Sequence, residues 1–125
     1  MKTVGEFYRE KVLSLPKRAL SKKELPNDSG EIKIQRDLFG WKFYAGKNVI
    51  ECRSEEEARY LKIFADLGVT EVFIPKDDAH LNSILPELER LKTRADEILN
   101  SYLETILDRK IKERLRHEVY MEILK

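Results

Sequence analysis

The stretch VIECRSEEEARYLKIFADLGVTEVFIP, residues 49–75, decides the fold because its pattern predicts a strand, a helix and a second strand in succession. Ser54 is placed to accept a hydrogen bond from the backbone N–H of Glu57, whose side chain can reach back to the Ser54 amide. Gly68 follows the helix where a left-handed C-terminal cap belongs. Two strands joined this tightly by one helix predict a right-handed parallel crossover.

The residues before this stretch predict an antiparallel meander. Apolar and polar side chains alternate in EIKIQR, WKFYAG and VIECR, which is typical of half-buried strands. A turn at Gly46 and Lys47 places Ala45 opposite Asn48, and it then places Glu51 opposite Lys42. We expect Glu51 and Lys42 to form an ordinary cross-strand ion pair.

The N-terminal segment predicts a helix followed by a surface connection. Apolar residues recur near helical spacing from Val4 to Leu15, and Pro16 disfavours the helical conformation of the residue before it. Residues 16–30 contain two prolines, clustered bases and Asn-Asp-Ser-Gly, which is typical of a connection.

The C-terminal segment predicts helix from Asp77 or Asp78 onward, with Pro86 in the first turn of a second helix. From Pro86 to Leu124 no glycine or further proline interrupts the pattern. A straight helix of that length would extend about 58 Å, whereas a compact chain of this size is about 36 Å across. The helix must therefore bend back, with Asn100 and Ser101 as its weakest helix formers, or project and find a partner.

Together these elements predict the α+β class: an N-terminal helix, a small and mostly antiparallel sheet with a β-α-β crossover, and a long C-terminal helical section. We expect an α-β-β-β-α-β domain over residues 1–76 and a helical extension over residues 77–125.

Composition limits the compartment and the chemistry. The chain has one cysteine and cannot form an internal disulfide, which favours a reducing compartment. The first 15 residues are too charged for a signal peptide, and no apolar run approaches the roughly 20 residues that span a bilayer. We expect a cytoplasmic protein without membrane contact, cofactor or metal. His80 near Asp77 and Asp78 is more typical of helix-capping charge than of a metal site.

Charge is distributed unevenly, with a net +5 over residues 1–53, −7 over residues 54–108 and +3 over residues 109–125. The first basic cluster consists of Lys17, Arg18, Lys22 and Lys23, and the second of Arg109, Lys112 and Arg116. If the clusters converge, they form a surface that contacts phosphate, which makes nucleic-acid binding one alternative function. The interleaved acids favour intrahelical salt bridges instead.

The order helix, three strands, helix and strand over residues 4–75 resembles the core of restriction-endonuclease-like nucleases. Those enzymes place an aspartate ahead of a strand and Glu-x-Lys on the following strand, so that carboxylates hold a divalent metal and the lysine supports the attacking water. The matching positions in this chain are Asp37, Glu51 and Arg53, with Glu6 or Glu10 as an extra ligand. The resemblance implies a nuclease as a further alternative.

Two features depart from that pattern. Arg53 replaces the lysine, and arginine stays protonated, so it cannot easily exchange a proton during catalysis. In the expected register, Asp37 lies five residues beyond the partner of Glu51, or ~16 Å along an extended strand. Oxygens that share one metal must lie within ~2.6 Å of the ion.

The leading functional hypothesis is a non-enzymatic protein-interaction or oligomerisation module, with a role beside a nucleic-acid-processing system left open. Apolar residues from Leu88 to Tyr102 follow the 3,4 spacing of a coiled-coil seam, and the apolar stripe then shifts round the helix. We expect association with a second copy or a partner helix through a seam that consists of Leu91, Ile98, Tyr102, Leu107, Ile111 and Leu115.

Overall fold

The computed structural model describes residues 2–26, 32–105 and 108–124. The helices are α1 (Val4–Tyr8), which continues as a π-helical segment (Arg9–Leu13), α2 (Glu55–Asp66), α3 (Asp78–Leu103) and α4 (Arg109–Leu124). The strands are β1 (Leu20–Glu24), β2 (Ile32–Asp37), β3 (Gly40–Ala45), β4 (Asn48–Cys52) and β5 (Glu71–Pro75). The predicted α+β class is confirmed.

Strands β2, β3 and β4 form the predicted antiparallel meander. Ala45 lies opposite Asn48 and Lys42 lies opposite Glu51, so the expected register is confirmed. Because side chains alternate between the two faces of a strand, Phe43 and Ala45 are buried while their polar neighbours face outward. One face of this sheet therefore contributes to the core, and the other carries charge.

The expected parallel crossover is wrong in its pairing, although strand, helix and strand follow one another as predicted. Strand β5 pairs antiparallel with β1, and the two form a separate sheet. Residues 16–30 were expected to be a connection, but β1 lies within them. The sequence LSKKE carries no clear apolar alternation. The strand forms because its backbone pairs with that of β5, and Lys22 adds a cross-strand ion pair with Glu71 at 2.9 Å.

Helix α2 begins and ends where the sequence predicts. The Ser54 side chain accepts from the Glu57 backbone N–H at 3.1 Å, and Gly68 adopts a φ of +84° just beyond the helix. The Glu57 carboxylate accepts from the Arg53 amide instead of the Ser54 amide, at 3.4 Å. The apolar face of α2 buries Tyr60, Leu61 and Phe64 against the two sheets and α3.

Helix α3 begins at the predicted point, because Asp77 caps it by accepting from the Ala79 amide at 2.9 Å. Pro86 lies inside this 26-residue helix and not at the start of a second one, so that boundary was wrong. Pro86 and Asn82 are exposed. The carbonyl of Asn82, which lacks its usual helical partner, therefore lies on the solvent side, where water can bind it.

The C-terminal section folds back on itself. Of the two arrangements that the helix length allowed, the projecting rod is therefore wrong. Helix α3 ends at Leu103, a few residues after the expected weak point, and α4 returns along it. The Tyr120 hydroxyl donates to Asp96 Oδ1 at 2.9 Å. The α4 end also contacts α1, where a Cβ on Gly5 would lie 2.7 Å from the Ile123 carbonyl oxygen.

A single core joins the two predicted parts of the chain. Phe43, Tyr60 and Phe64 pack in the same buried cluster as Leu81 and Leu85 of α3. The division into residues 1–76 and 77–125 stays a prediction, and it runs through this shared core. Across the described residues, no helix is both long and apolar enough to cross a membrane.

Candidate functional site

A polar junction lies where β4 ends and α2 begins, between the two sheets, and it consists of Lys23, Arg53, Glu57 and Asp78. Arg53 Nε lies 3.2 Å from Glu57 Oε2 and 2.7 Å from Asp78 Oδ1. Lys23 Nζ lies 3.7 Å from Glu57 Oε1. The Glu57 side chain is only 4% exposed. Two cations therefore neutralise one buried and one exposed carboxylate.

Local chain geometry assembles this junction. Arg53 follows β4 directly, and Glu57 occupies the third position of α2, where a carboxylate is favoured by the helix dipole. The Arg53 guanidinium also donates to the Pro75 carbonyl at the end of β5. One arginine thus ties β4, β5, α2 and α3 together, which is a structural role.

A cavity of ≈ 400 Å³ opens beside the junction, and its lining includes Ser21, Glu51 and Cys52. Burial, followed by the charge of Glu57, raises the pKa of the Cys52 thiol to about 11. At neutral pH the sulfur is therefore protonated and a poor nucleophile. The charged side chains of the junction thus pair with one another, and the thiol beside them is not activated for nucleophilic attack.

The nuclease-like positions are only partly brought together. Glu51 and Arg53 line the junction cavity, whereas Asp37 lies in the meander and forms an ion pair with Lys42 at 2.8 Å. The hydrogen bond from Lys42 and a second one from the Phe39 amide hold the pKa of Asp37 below its ordinary value.

The expected ~16 Å displacement of Asp37 is wrong, since the chain turns at Leu38 and Phe39 and brings Asp37 back beside β3. Lys42 thus lies between Asp37 and Glu51, and its ion pair is with Asp37 and not with its cross-strand neighbour. Within residues 2–26, 32–105 and 108–124, no group of three His, Cys, Asp or Glu side chains is arranged to hold a metal.

The other possible ligands have structural partners. Glu10 forms an ion pair with Lys2, and Glu6 accepts from the Thr3 hydroxyl at 3.3 Å. His80 Nε2 lies 2.8 Å from the Lys11 carbonyl oxygen, to which it donates. These contacts tie the first helical segment to itself and to α3.

Both basic clusters are already partly paired with acids, and in the second one Arg109 Nε lies 3.4 Å from Glu113 Oε1. Lys22 and Lys23 form ion pairs with Glu71 and Glu57, while Lys17 and Arg18 are exposed. In α4, the second cluster lines one cavity of ≈ 300 Å³ together with Glu113. Its members are Arg109, Lys112 and Arg116. Arg109 is ~22 Å along the helix from Leu124, the end that contacts α1.

The predicted seam is divided by the fold. Leu91 is buried in the core, and Leu115 is half-buried on α4. Ile98 is 62% exposed, Tyr102 is 59% exposed, and Ile111 is also exposed. Leu107 lies outside the described residues. Leu99 and Leu103, each one residue after a seam position, are buried instead. The 3,4 spacing selects Ile98 and Tyr102, so it did not indicate that the adjacent face of the helix is the buried one.

A groove between α1 and α4 was not found from the sequence. This α1–α4 groove has a volume of ≈ 700 Å³ and is lined by Thr3, Glu6, Arg9, Glu118, Val119, Glu122 and Ile123. Gly5 is the one local signal, since a glycine within a helix can mark the close approach of another backbone. The groove exists only because α4 folds back.

Comparisons with known proteins add no relative: no family model, no curated protein and no solved structure matches this chain. The fold defines the class of protein, an α+β body of two antiparallel sheets with a C-terminal helical hairpin. Function must therefore be inferred from the surfaces and contacts of the described residues.

Proposed function

We propose that this chain is a non-enzymatic protein-interaction module that self-associates through its C-terminal helical hairpin. The observation that supports the proposal is a set of exposed apolar side chains on α3 and α4, among them Ile98, Tyr102 and Ile111. Ile98 and Tyr102 are four residues apart, so they share one face of α3. This set of three residues is the hairpin surface.

The hairpin surface is not needed to close the hairpin. Leu99 and Leu103 are buried, and Tyr120 binds Asp96, so the contact between α3 and α4 is made by other residues. Large apolar side chains that the fold leaves uncovered gain about 25 cal/mol for every Å² that a partner buries. Aromatic residues such as Tyr102 are enriched at protein interfaces.

A helix of a second copy fits this surface because two apolar stripes can pack in an isologous contact, as in a symmetric dimer. The flanking residues are charged: Arg94 continues the line of Ile98 and Tyr102 at one end, and Glu97 lies beside it on α3. They would form the polar rim that surrounds the apolar centre of an interface. A helix from another protein is the other partner that this geometry admits.

The test is the mass in solution over a range of protein concentrations, compared with the 14.8 kDa chain. Below about 0.1 mM protein, where a contact with a dissociation constant near 1 mM is largely unformed, we expect the wild-type mass to rise toward twice this value and the variant Ile98→Ser/Tyr102→Ser to remain monomeric. The control Asn82→Ser/Thr93→Ser changes exposed polar residues on another face of the same helix and should behave as wild type. A wild-type monomer at every concentration would contradict self-association.

Nucleic-acid binding is a second candidate because Arg109, Lys112 and Arg116 line one cavity on α4. Three phosphate contacts predict a salt slope of about −2.7, which means about a 40-fold loss of affinity for duplex DNA between 50 and 200 mM salt. Lys112→Gln/Arg116→Gln should remove about two-thirds of that slope, whereas Lys110→Gln, on another face, should leave it unchanged. An unchanged slope in the double variant would exclude this site. No contact described here favours the nuclease alternative.

A further inference from the structure

The turn between β2 and β3 exposes two large apolar side chains, Leu38 at 98% and Phe39 at 89%. We call these two residues the hairpin tip. No other large apolar side chain among the described residues is as exposed. The tip lies at one end of the meander and belongs neither to the hairpin surface nor to the polar junction.

The fold does not require apolar residues at the tip. The turn is closed by its flanking residues, because Asp37 Oδ1 accepts from the Phe39 amide at 2.8 Å and Gly40 adopts a φ of +123°. Aspartate before a turn and glycine after it are the residues that such turns favour. Polar residues at positions 38 and 39 would therefore serve the turn equally well, and the two apolar side chains need another explanation.

The α1–α4 groove has the properties that complement this tip. Val119 and Ile123 provide apolar side chains that are only half-buried. Three glutamates and one arginine also line it, so its net charge is negative. Its ≈ 700 Å³ lies within the usual range of concave binding sites.

We propose that the hairpin tip of one copy docks into the α1–α4 groove of a second copy. Leu38 and Phe39 would cover Val119 and Ile123. Arg36, which has no ion pair among the described residues, lies two residues before the tip in the sequence. In the docked pair it would approach the glutamates that line the groove. The apolar pair meets an apolar surface and the cation meets carboxylates, so both unexplained features of this chain are accounted for by one contact.

An anionic membrane is a poorer match for the tip. Lipid surfaces recruit proteins through clusters of roughly four to eight basic residues. Beside the tip, the charge of Lys42 is taken up by Asp37 at 2.8 Å, and Arg36 is the cation that forms no ion pair with another described residue.

This contact is heterologous, since the tip and the groove are different surfaces of each copy. Every copy therefore has one donor and one acceptor surface, which distinguishes this contact from the isologous packing of the hairpin surface. A contact formed by two side chains is small, so we expect a dissociation constant on the order of 1 mM.

The experiment uses full-length protein with Ile98→Ser/Tyr102→Ser, so that the hairpin surface cannot contribute. In this background, Leu38→Ser/Phe39→Ser removes the tip and Val119→Arg blocks the groove. Sedimentation equilibrium at about 1 mM protein should show association of the background protein, and at least a tenfold weaker association of each variant alone. Val49→Thr changes another exposed apolar residue and serves as the control.

An equimolar mixture of the tip variant and the groove variant should form a one-to-one dimer, because one partner retains the groove and the other retains the tip. Glu118→Arg replaces Val119→Arg if thermal unfolding shows that the latter is misfolded. A mixture that remains monomeric overturns the proposal, as does a background protein that does not associate. Binding of the background protein to phosphatidylserine vesicles that the tip variant loses would also overturn it. None of these results tests self-association through Ile98 and Tyr102, because both residues are replaced in every protein compared.

Discussion

Helices α2 and α4 are similar in length, with 12 and 16 residues, but they are held to the molecule in different ways. Six side chains of α2 are buried, whereas none of the described side chains of α4 is. Helix α4 is attached by partly exposed contacts, such as the hydrogen bond from Tyr120 to Asp96. Segments with so little apolar burial open with a small free energy. We therefore expect α4 to detach while the body that contains α2 remains folded.

The largest effect is expected from matched leucine truncations. Leu85 of α3 is buried in the core, and Leu115 of α4 is half-buried. Leu85→Ala should reduce the free energy of unfolding by about 3 kcal/mol, because it leaves a cavity. Leu115→Ala should cost less than about 1 kcal/mol. Urea denaturation measures both, and equal losses would contradict the distinction between the body and α4.

The polar junction provides the next largest effect, within the body. Glu57→Gln removes the charge that pairs with both Arg53 and Lys23, and we expect a loss of about 2 kcal/mol, since these cations are partly exposed. The control is Glu55→Gln in the same helical turn. Glu55 faces solvent, so its replacement should cost only about 0.5 kcal/mol. Thermal unfolding of both variants makes the comparison, and an equal cost would mean that only the helix dipole matters.

A smaller and local effect is expected where α4 meets α1. Gly5→Ala would place a methyl group within contact distance of the Ile123 and Leu124 backbone. We expect a net cost of about 1 kcal/mol, because the steric penalty exceeds the gain in helix propensity. Hydrogen exchange should become faster in α4 and stay unchanged in α2. Faster exchange throughout the chain would show that α4 and the body unfold as one unit.

The smallest effect concerns the Tyr120 hydroxyl. Burial, followed by its hydrogen bond to Asp96, raises the pKa of Tyr120 to about 12, whereas a tyrosine in an unfolded chain titrates near 10. Because the folded pKa is the higher one, the stabilisation is complete below pH 10 and is lost as the pH rises toward about 12.

Tyr120→Phe should therefore cost about 0.5 kcal/mol at neutral pH, and its difference from wild type should shrink over that alkaline range. Urea unfolding at a series of pH values measures this difference. Tyr102→Phe, on the exposed hairpin surface, should leave the stability unchanged. A cost of Tyr120→Phe that is the same at every pH would assign it to packing and not to the hydroxyl.

Local patterns were sufficient where neighbours along the chain determine the structure. The meander register, the Ser54 cap and the Gly68 stop follow from residues within a few positions of one another, and all are confirmed. Strand β1 could not be found in this way, since its pairing partner lies about 50 residues later and its own sequence has no apolar alternation. The polar junction was missed for the same reason, because Arg53 meets Asp78 only after β5 is in place.

The sequence by itself determined the α+β class, the course of the chain from β2 to α2, and the start of α3, because caps, turns and apolar periodicity act over short distances. Only the tertiary structure decided that β5 pairs with β1, that α4 folds back, and that Leu99 is buried while Ile98 is exposed. These outcomes depend on which surfaces are available to one another in three dimensions, and a local pattern contains no information about that competition.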